Sequence, residues 1–327
     1  MKIPSRALYM LLLAPLLAAA CAGGNSTAPG NPTPNPNTNP NPQPIPTPTP
    51  PITFVGAGDI ADCTAIDSGA NAEATARLID RMSDAVVFTA GDNAYFNGTE
   101  REFANCYGPR WGRFRNRTYP TPGNHEYQIT PGPYFDYFGD RASPDGRRGT
   151  GFYSYTLGNW HMIALNSNVP VGSGSEQFLW LMQDLAANKR VQEATGTRCT
   201  LAYWHHPLFT SGPSAGSNAI MLPIWRLLYE FGVDVVVNGH DHLYERFEPM
   251  DPTGRRDQPT TGIRAYIAGT GGAMTLYDFG PILPTSAARL KTYGVLKFTL
   301  RDTGWDSVFI QAGNELPFDL SVGNLCH

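Results

Sequence analysis

Six short runs of continuous apolar, β-rich sequence set the limits on what this chain can fold into. They span residues 52–57, 85–90, 162–166, 200–204, 233–238 and 263–268, and each runs into Gly, Asn or His. They are too short for buried helices and lack the alternation of a strand with one wet face, so they read as strands buried on both faces. Helical patterns lie between several of them. Ala70, Ala74, Leu78, Ile79 and Met82 would share one inward face, and Phe178, Leu179, Met182, Leu185 and Ala186 another. Ser173 with Glu176 would box the start of that second helix, and residues 222–231 make a third. Beyond about residue 260 strands joined by turns take over, including 294–300 and 307–311. Such an order predicts an α/β protein layered α/β/β/α, with mixed sheets.

The first fifty residues do not follow this pattern. Lys2 and Arg6 precede an apolar stretch, 7–20, that is too short for a resident membrane span, so residues 1–20 read as a signal peptide. It ends Ala18-Ala19-Ala20-Cys21, which fits a lipobox with Cys21 as the lipidated residue, although Ala18 stands where leucine is more usual; the same alanines also fit ordinary cleavage. Residues 21–51 then form a tether, nearly all Pro, Asn and Thr from residue 28 on, with little to bury and φ fixed at every second or third position. That leaves 52–327 as one catalytic-sized domain with a full core. The protein is therefore expected outside the cytoplasm, either as a cell-envelope lipoprotein (outer membrane or surface) or as a secreted or periplasmic protein.

With 41% hydrophobic and 16% charged residues and a net charge of -4, the chain is globular, and nucleic acid is not an expected partner. Four cysteines follow Cys21, none in a Cys-x-x-Cys spacing, so in an exported chain they point to two disulfides rather than to metal thiolates. Three pairings are open. Cys63 with Cys106 is expected because both sit in loops soon after strands, and Cys199 with Cys326 because it would pin the C-terminal tail.

Five segments place potential metal ligands at strand ends: Gly58-Asp59, Gly91-Asp92-Asn93-Ala94-Tyr95, Gly123-Asn124-His125-Glu126, Trp204-His205-His206-Pro207 and Gly239-His240-Asp241-His242. In an α/β sheet that is where a crevice opens for ligands. Singly each is ordinary, since an Asp after a glycine is usually a turn or a helix cap. Together, oxygen donors from Asp59, Asp92 and Asn124 and imidazoles from His205, His240 and His242 suit iron, zinc or manganese. One bridging carboxylate would allow two ions about 3.5 to 4 Å apart. The glycines before Asp59, Asp92, Asn124 and His240 are expected to let the backbone turn sharply there.

This order of motifs, Gly-Asp, Gly-Asp-x-x-Tyr, Gly-Asn-His-Glu, His and Gly-His-x-His, resembles that of the purple acid phosphatases, a branch of the calcineurin-like metallophosphoesterases. The resemblance runs from about residue 52 to the C-terminus and includes the long stretch 239–246. It implies the metallophosphoesterase sandwich, with Asp59, Asp92, Tyr95 and His242 holding a first ion and Asp92, Asn124, His205 and His240 a second. Tyr95 implies Fe(III) with a visible charge-transfer colour, paired with a divalent ion (Zn, Fe or Mn). The implied reaction is phosphoester hydrolysis by hydroxide generated at the ions, with His125 as proton donor or phosphate contact.

Three positions depart from the family. Ala61 stands where glycine is usual, which puts the local backbone in question. Ala202 replaces a common valine. Ser214 stands where relatives commonly carry histidine, which leaves a second acid or phosphate contact unassigned; His206 could compensate, though its simplest reading is a neighbour of the ligand with its ring turned away. His161, beside Trp160 at a strand start, is read as structural, and neither it nor His327 enters the site.

The expected substrate is a small phosphate monoester. A rival reading keeps the metals but takes phosphodiesters, the choice resting on loops 96–111, 127–148 and 210–218. A third, a surface-tethered binding protein on a retired scaffold, predicts damaged ligand positions, and all seven are filled. The sequence leaves the oligomeric state open.

Overall fold

The computed structural model describes residues 50–64, 69–196 and 198–327; the stretches read as signal peptide and tether, with Cys21, lie outside the described residues, apart from the last two tether positions. Among the described residues, thirteen strands form two mixed sheets. They are β1 (Ile52–Ala57), β2 (Val86–Ala90), β3 (Thr118–Thr121), β4 (Tyr153–Leu157), β5 (Trp160–Ala164), β6 (Cys199–Trp204), β7 (Val235–Asn238), β8 (Tyr244–Phe247), β9 (Arg264–Ala268), β10 (Ser286–Leu290), β11 (Gly294–Arg301), β12 (Gly304–Gln311) and β13 (Pro317–Leu325). One sheet has the order β13-β12-β11-β1-β2-β3 and the other β10-β8-β9-β7-β6-β5-β4. In the first, β1, β2 and β3 run parallel; in the second, β5, β6, β7 and β9 do.

Alternate residues explain the layering, because successive side chains of a strand face opposite ways. Phe54, Phe88, Leu296 and Phe298 of the first sheet meet Met162, Tyr203, Val235 and Tyr266 of the second in a core between the sheets. Their neighbours Val55, Val87 and Val295 pack outward with Leu78, Ile79 and Trp111, and Ile163, Ala202, Val236 and Ile267 pack outward with Leu181, Trp225 and Leu228. The result is the predicted α/β/β/α sandwich. Continuous apolar runs follow directly from strands covered on both faces.

Two helical faces differ from the sequence expectation. Helix Ala70–Asp80 turns Ala72, Thr75, Ala76, Leu78 and Ile79 inward, leaving Ala70 exposed, because Thr75 donates its hydroxyl to the Gly271 carbonyl and receives the Trp111 indole N–H. Helix Glu176–Thr195 buries Gln177, Leu181, Leu185 and Asn188, and leaves Leu179 and Met182 exposed. Polar bonds decide its rotation: Gln177 exchanges two hydrogen bonds with the Asn166 backbone, and Asn188 donates to Thr200 Oγ1. Its cap is Ser175, whose hydroxyl accepts the Phe178 N–H, not Ser173.

Both expected disulfides form, Cys63–Cys106 and Cys199–Cys326. Each cross-link restricts the unfolded chain, a contribution of about 2 to 4 kcal/mol. The second pins the chain end, where the His327 N–H also donates to Asp234. No helix of the described residues is long and apolar enough to cross a membrane.

Candidate metal centre

Parallel strands put their carboxyl ends on one side of a sheet, and here both sheets do so at the same place. Asp59, Asp92 and Asn124 follow β1, β2 and β3; His205 and His240 follow β6 and β7. The Gly58 N–H donates to the Ala268 carbonyl at the end of β9, tying the two sheet ends together (2.8 Å). The sharp turns belong to the candidate ligands themselves: Asp59, Asp92 and His240 have φ of 59°, 50° and 70°. The preceding glycines mainly supply room. A Cβ on Gly123 would stand 2.0 Å from Asp92 Oδ1, and only Gly91, at φ 82°, also needs the left-handed conformation. Ala61, where glycine was expected, has no positive φ; it bridges to Ala94 and is bonded on both sides to the Asn93–Tyr95 loop.

All seven ligand candidates converge, in two groups that share Asp92. In the first, the Tyr95 hydroxyl lies 3.0 Å from Asp59 Oδ1, 3.1 Å from Asp92 Oδ2 and 3.2 Å from His242 Nε2. In the second, Asn124 Oδ1 lies 3.0 Å from His205 Nε2 and 3.1 Å from His240 Nδ1, and Asp92 Oδ2 lies 3.2 Å from His205 Nε2. Two of the imidazoles are oriented by carbonyls: His205 Nδ1–H donates to Ala90 and His242 Nδ1–H to Thr275. A carbonyl can only accept, so in the neutral ring each Nε2 keeps a lone pair toward the cluster, the tautomer a metal ligand needs.

The charges call for a cation. Asp59 and Asp92 are essentially buried, and among the described residues their ion pairs are only with histidines. Buried carboxylates require such compensation. Although burial opposes it, the Asp92 and Asp59 carboxylates lift His205 to about 9, while His205 and His125 pull Asp92 well below the carboxylate range against its own burial. Burial and the same two carboxylates push the Tyr95 phenol well above its usual range. A donor set of carboxylates, imidazoles, an amide oxygen and a phenol, buried except for the half-buried Asn124 and His240, fits a pair of transition-metal ions. A third grouping, Cys199, Asp234 and Cys326, is unsuitable, because its sulfurs form a disulfide.

His125 borders both groups. Its N–H donates to Asp92 Oδ1, its Nδ1–H donates to the Phe96 carbonyl at 2.6 Å, and its Nε2 lies 3.7 Å from Asp92 Oδ2. Ser214 bonds Asp241 through both its N–H and its hydroxyl, fastening loop 210–214 to the segment between His240 and His242. His206 is not turned away: its ring centroid is 4.5 Å from that of His240.

Sequence reasoning gave no role to Glu126 or Tyr277. Fully buried Glu126 accepts the N–H groups of Asn93, Ala94 and Gly123 and the Asn93 amide, knitting the Asp92 loop to the Asn124 loop. Burial, then Asp92, pushes its acid up to about 8, while those N–H groups pull it back. A charged residue beside a ligand motif was the available signal. Tyr277 stacks on His242 at 4.3 Å and 7°, from a loop with no nearby motif to mark it.

Residues 52–244 match the family described as calcineurin-like phosphoesterase. The chain belongs to that family. Among curated members, this calcineurin-like phosphoesterase chain is similar to purple acid phosphatase 15 of Arabidopsis thaliana, at 30% identity over 213 residues, 54% of this chain and 39% of that protein. It is also similar to an uncharacterized protein of Mycobacterium tuberculosis, at 29% over 195 residues, 53% of this chain and 36% of that protein. The chain thus spans less than half the length of these relatives. Among solved structures, the purple acid phosphatase PPD1 of yellow lupin (Lupinus luteus) has a TM-score of 0.64 at 20% identity, covering 83% of this chain and 53% of that one. GAP50, the anchor in the inner membrane complex of Plasmodium, also has a TM-score of 0.64, at 14% identity, covering 85% and 90%. One sandwich thus carries both a phosphatase and a protein named as an anchor, so the site, not the fold, has to support a function.

Proposed function

We propose that this chain is an exported dimetal phosphomonoesterase of the purple acid phosphatase type. The observation that carries this reading is the pair of largely buried donor groups sharing Asp92, complete at all seven positions. Asp59, Asp92, Tyr95 and His242 would hold Fe(III), and Asp92, Asn124, His205 and His240 a divalent ion (Zn, Fe or Mn). When bound, such a pair supplies Lewis acidity toward a phosphoryl oxygen and a water of lowered pKa. The chain's own part is to place substrate and protons. His125, fixed through Nδ1–H by the Phe96 carbonyl, keeps Nε2 toward the site and, in its doubly protonated form, gives the Nε2 proton to the leaving oxygen and returns to the neutral ring.

The test is metal analysis with a visible spectrum on the purified protein, followed by parallel assays on 4-nitrophenyl phosphate and its bis-ester. Two metals per chain, a broad visible band and preference for the monoester are expected. Preference for the bis-ester would transfer the site to phosphodiesters, and no hydrolysis by metal-replete protein would favour a binding role. In Tyr95→Phe the visible band should disappear; a band that survives would remove the phenolate assignment.

The two disulfides fit an oxidising compartment. Export is proposed through leader 1–20, with lipid attachment at Cys21 and residues 22–51 as spacer to the domain 52–327. Cys21→Ala should move the protein from the membrane to the soluble fraction. Unchanged fractionation would eliminate the anchor.

A further inference from the structure

His206 follows a candidate ligand directly, and every hydrogen-bonding group of it but one is committed within the protein. Its carbonyl accepts the Trp204 indole N–H (2.7 Å), its N–H donates to Ser167 Oγ (3.1 Å), and its Nδ1 lies 2.8 Å from the same Ser167 Oγ. Ser167 comes from the loop after β5, the strand beside β6, and the preceding Asn166 is locked by Gln177, Tyr127 and the Thr150 carbonyl. The position is therefore rigid. Among the described residues Nε2 has no partner, and one ring nitrogen from each of His205, His206 and His240 lies within 4.8 Å of the others.

The proton arrangement separates His206 from the ligand histidines. His205 and His242 give their Nδ1–H to carbonyls, which leaves a lone pair on Nε2. His206 faces a hydroxyl instead. Ser167 Oγ already accepts the His206 N–H, and among the described residues the only acceptor its own proton reaches is His206 Nδ1. Nε2 then carries the hydrogen, and a nitrogen so protonated offers nothing to a metal.

We propose that His206 Nε2–H is a hydrogen-bond donor to the phosphoryl oxygens of the substrate, and that Ser167 is the positioning residue that fixes its tautomer. The proposal rests on the phosphoesterase reading above. It also supplies a phosphate contact where Ser214, engaged with Asp241, offers none of the kind a histidine would.

The probe is inorganic phosphate, its Kd measured by calorimetry on metal-replete full-length protein, with metal content and 15N tautomer spectra of the His206 ring alongside. His206→Ala should weaken phosphate binding roughly tenfold to a hundredfold, as expected for a hydrogen bond to a charged group, with metal content unchanged. His206→Gln, which keeps an N–H near the same place, should recover most of the binding. Ser167→Ala should mix the two tautomers and weaken phosphate by a smaller factor, and Ser167→Thr should restore both. An unchanged Kd in His206→Ala, loss of metal in that variant, or a wild-type ring protonated at Nδ1 would each overturn the proposal. Wild type that binds phosphate through His206 yet hydrolyses no phosphoester would sink the catalytic reading and leave this one standing. Hydrolysis by wild type with a Kd indifferent to His206 would do the reverse.

Discussion

Replacing Glu126 by alanine is expected to lower the unfolding free energy by about 3 kcal/mol or more. Its Oε1 accepts the Asn93 and Ala94 N–H groups at 2.8 and 3.1 Å, and its Oε2 accepts the Gly123 N–H at 2.7 Å, all without solvent contact. Alanine leaves three backbone donors without partners, each worth about 1 to 3 kcal/mol when buried, with some of that recovered by water entering the space. These donors belong to the two loops that present Asp92 and Asn124, so the retained metal should fall together with stability. Glu126→Gln keeps the shape but turns one acceptor into a donor among donors, and should fall between. Denaturant unfolding and metal analysis check both effects. A Glu126→Ala unfolding curve that overlays wild type would show that the loops are held by other contacts.

His125→Ala is expected to reduce turnover by roughly 10²- to 10⁴-fold, the usual weight of a positioned proton donor, while both metals stay bound. The separation follows from geometry. His125 offers Asp92 its backbone N–H, which alanine retains, whereas the ring meets the Phe96 carbonyl and the Tyr95 and Phe96 rings and comes no closer than 3.7 Å to the Asp92 carboxylate through Nε2. A loss in kcat with KM little changed would mark a group used in the reaction; a matching loss of metal would instead make His125 a support for the ligands.

Asp59, Asp92, His205 and His240 were legible as candidate ligands because each lies within two residues of the end of β1, β2, β6 or β7, so one reading gave both the strand and the donor; Asn124 was read from its motif alone, since β3 makes no apolar run. Buried parallel strands such as β6 and β7 announced themselves as unbroken apolar runs for the same reason. Edge strands did not. β13 lies on a rim that only one neighbour covers: Phe318, Leu320 and Val322 alternate with Asp319 and Ser321 for only five residues before Gly323, and with Leu320 and Val322 exposed no apolar run marks it. The face of helix Glu176–Thr195 was misread because Gln177 and Asn188 bind inward, a choice set by Asn166 and Thr200 on other elements. Glu126 fell outside the reading because the donors it serves come mainly from a loop 33 residues earlier, and Tyr277 because only the closed fold brings its ring to His242.

The left-handed corners at Asp59, Asp92 and His240 have a consequence for any attempt to change what this centre holds. Asp, Asn and His are among the few side chains with a hydrogen bond acceptor that enter that conformation readily. The donor types here are thus filtered first by backbone handedness and only then by affinity. Retuning the centre for another ion by bringing in Glu or Cys at these three places would set a longer or softer donor against the corner that aims it. The positions open to retuning are the ones that turn no corner: Tyr95, Asn124, His205 and His242.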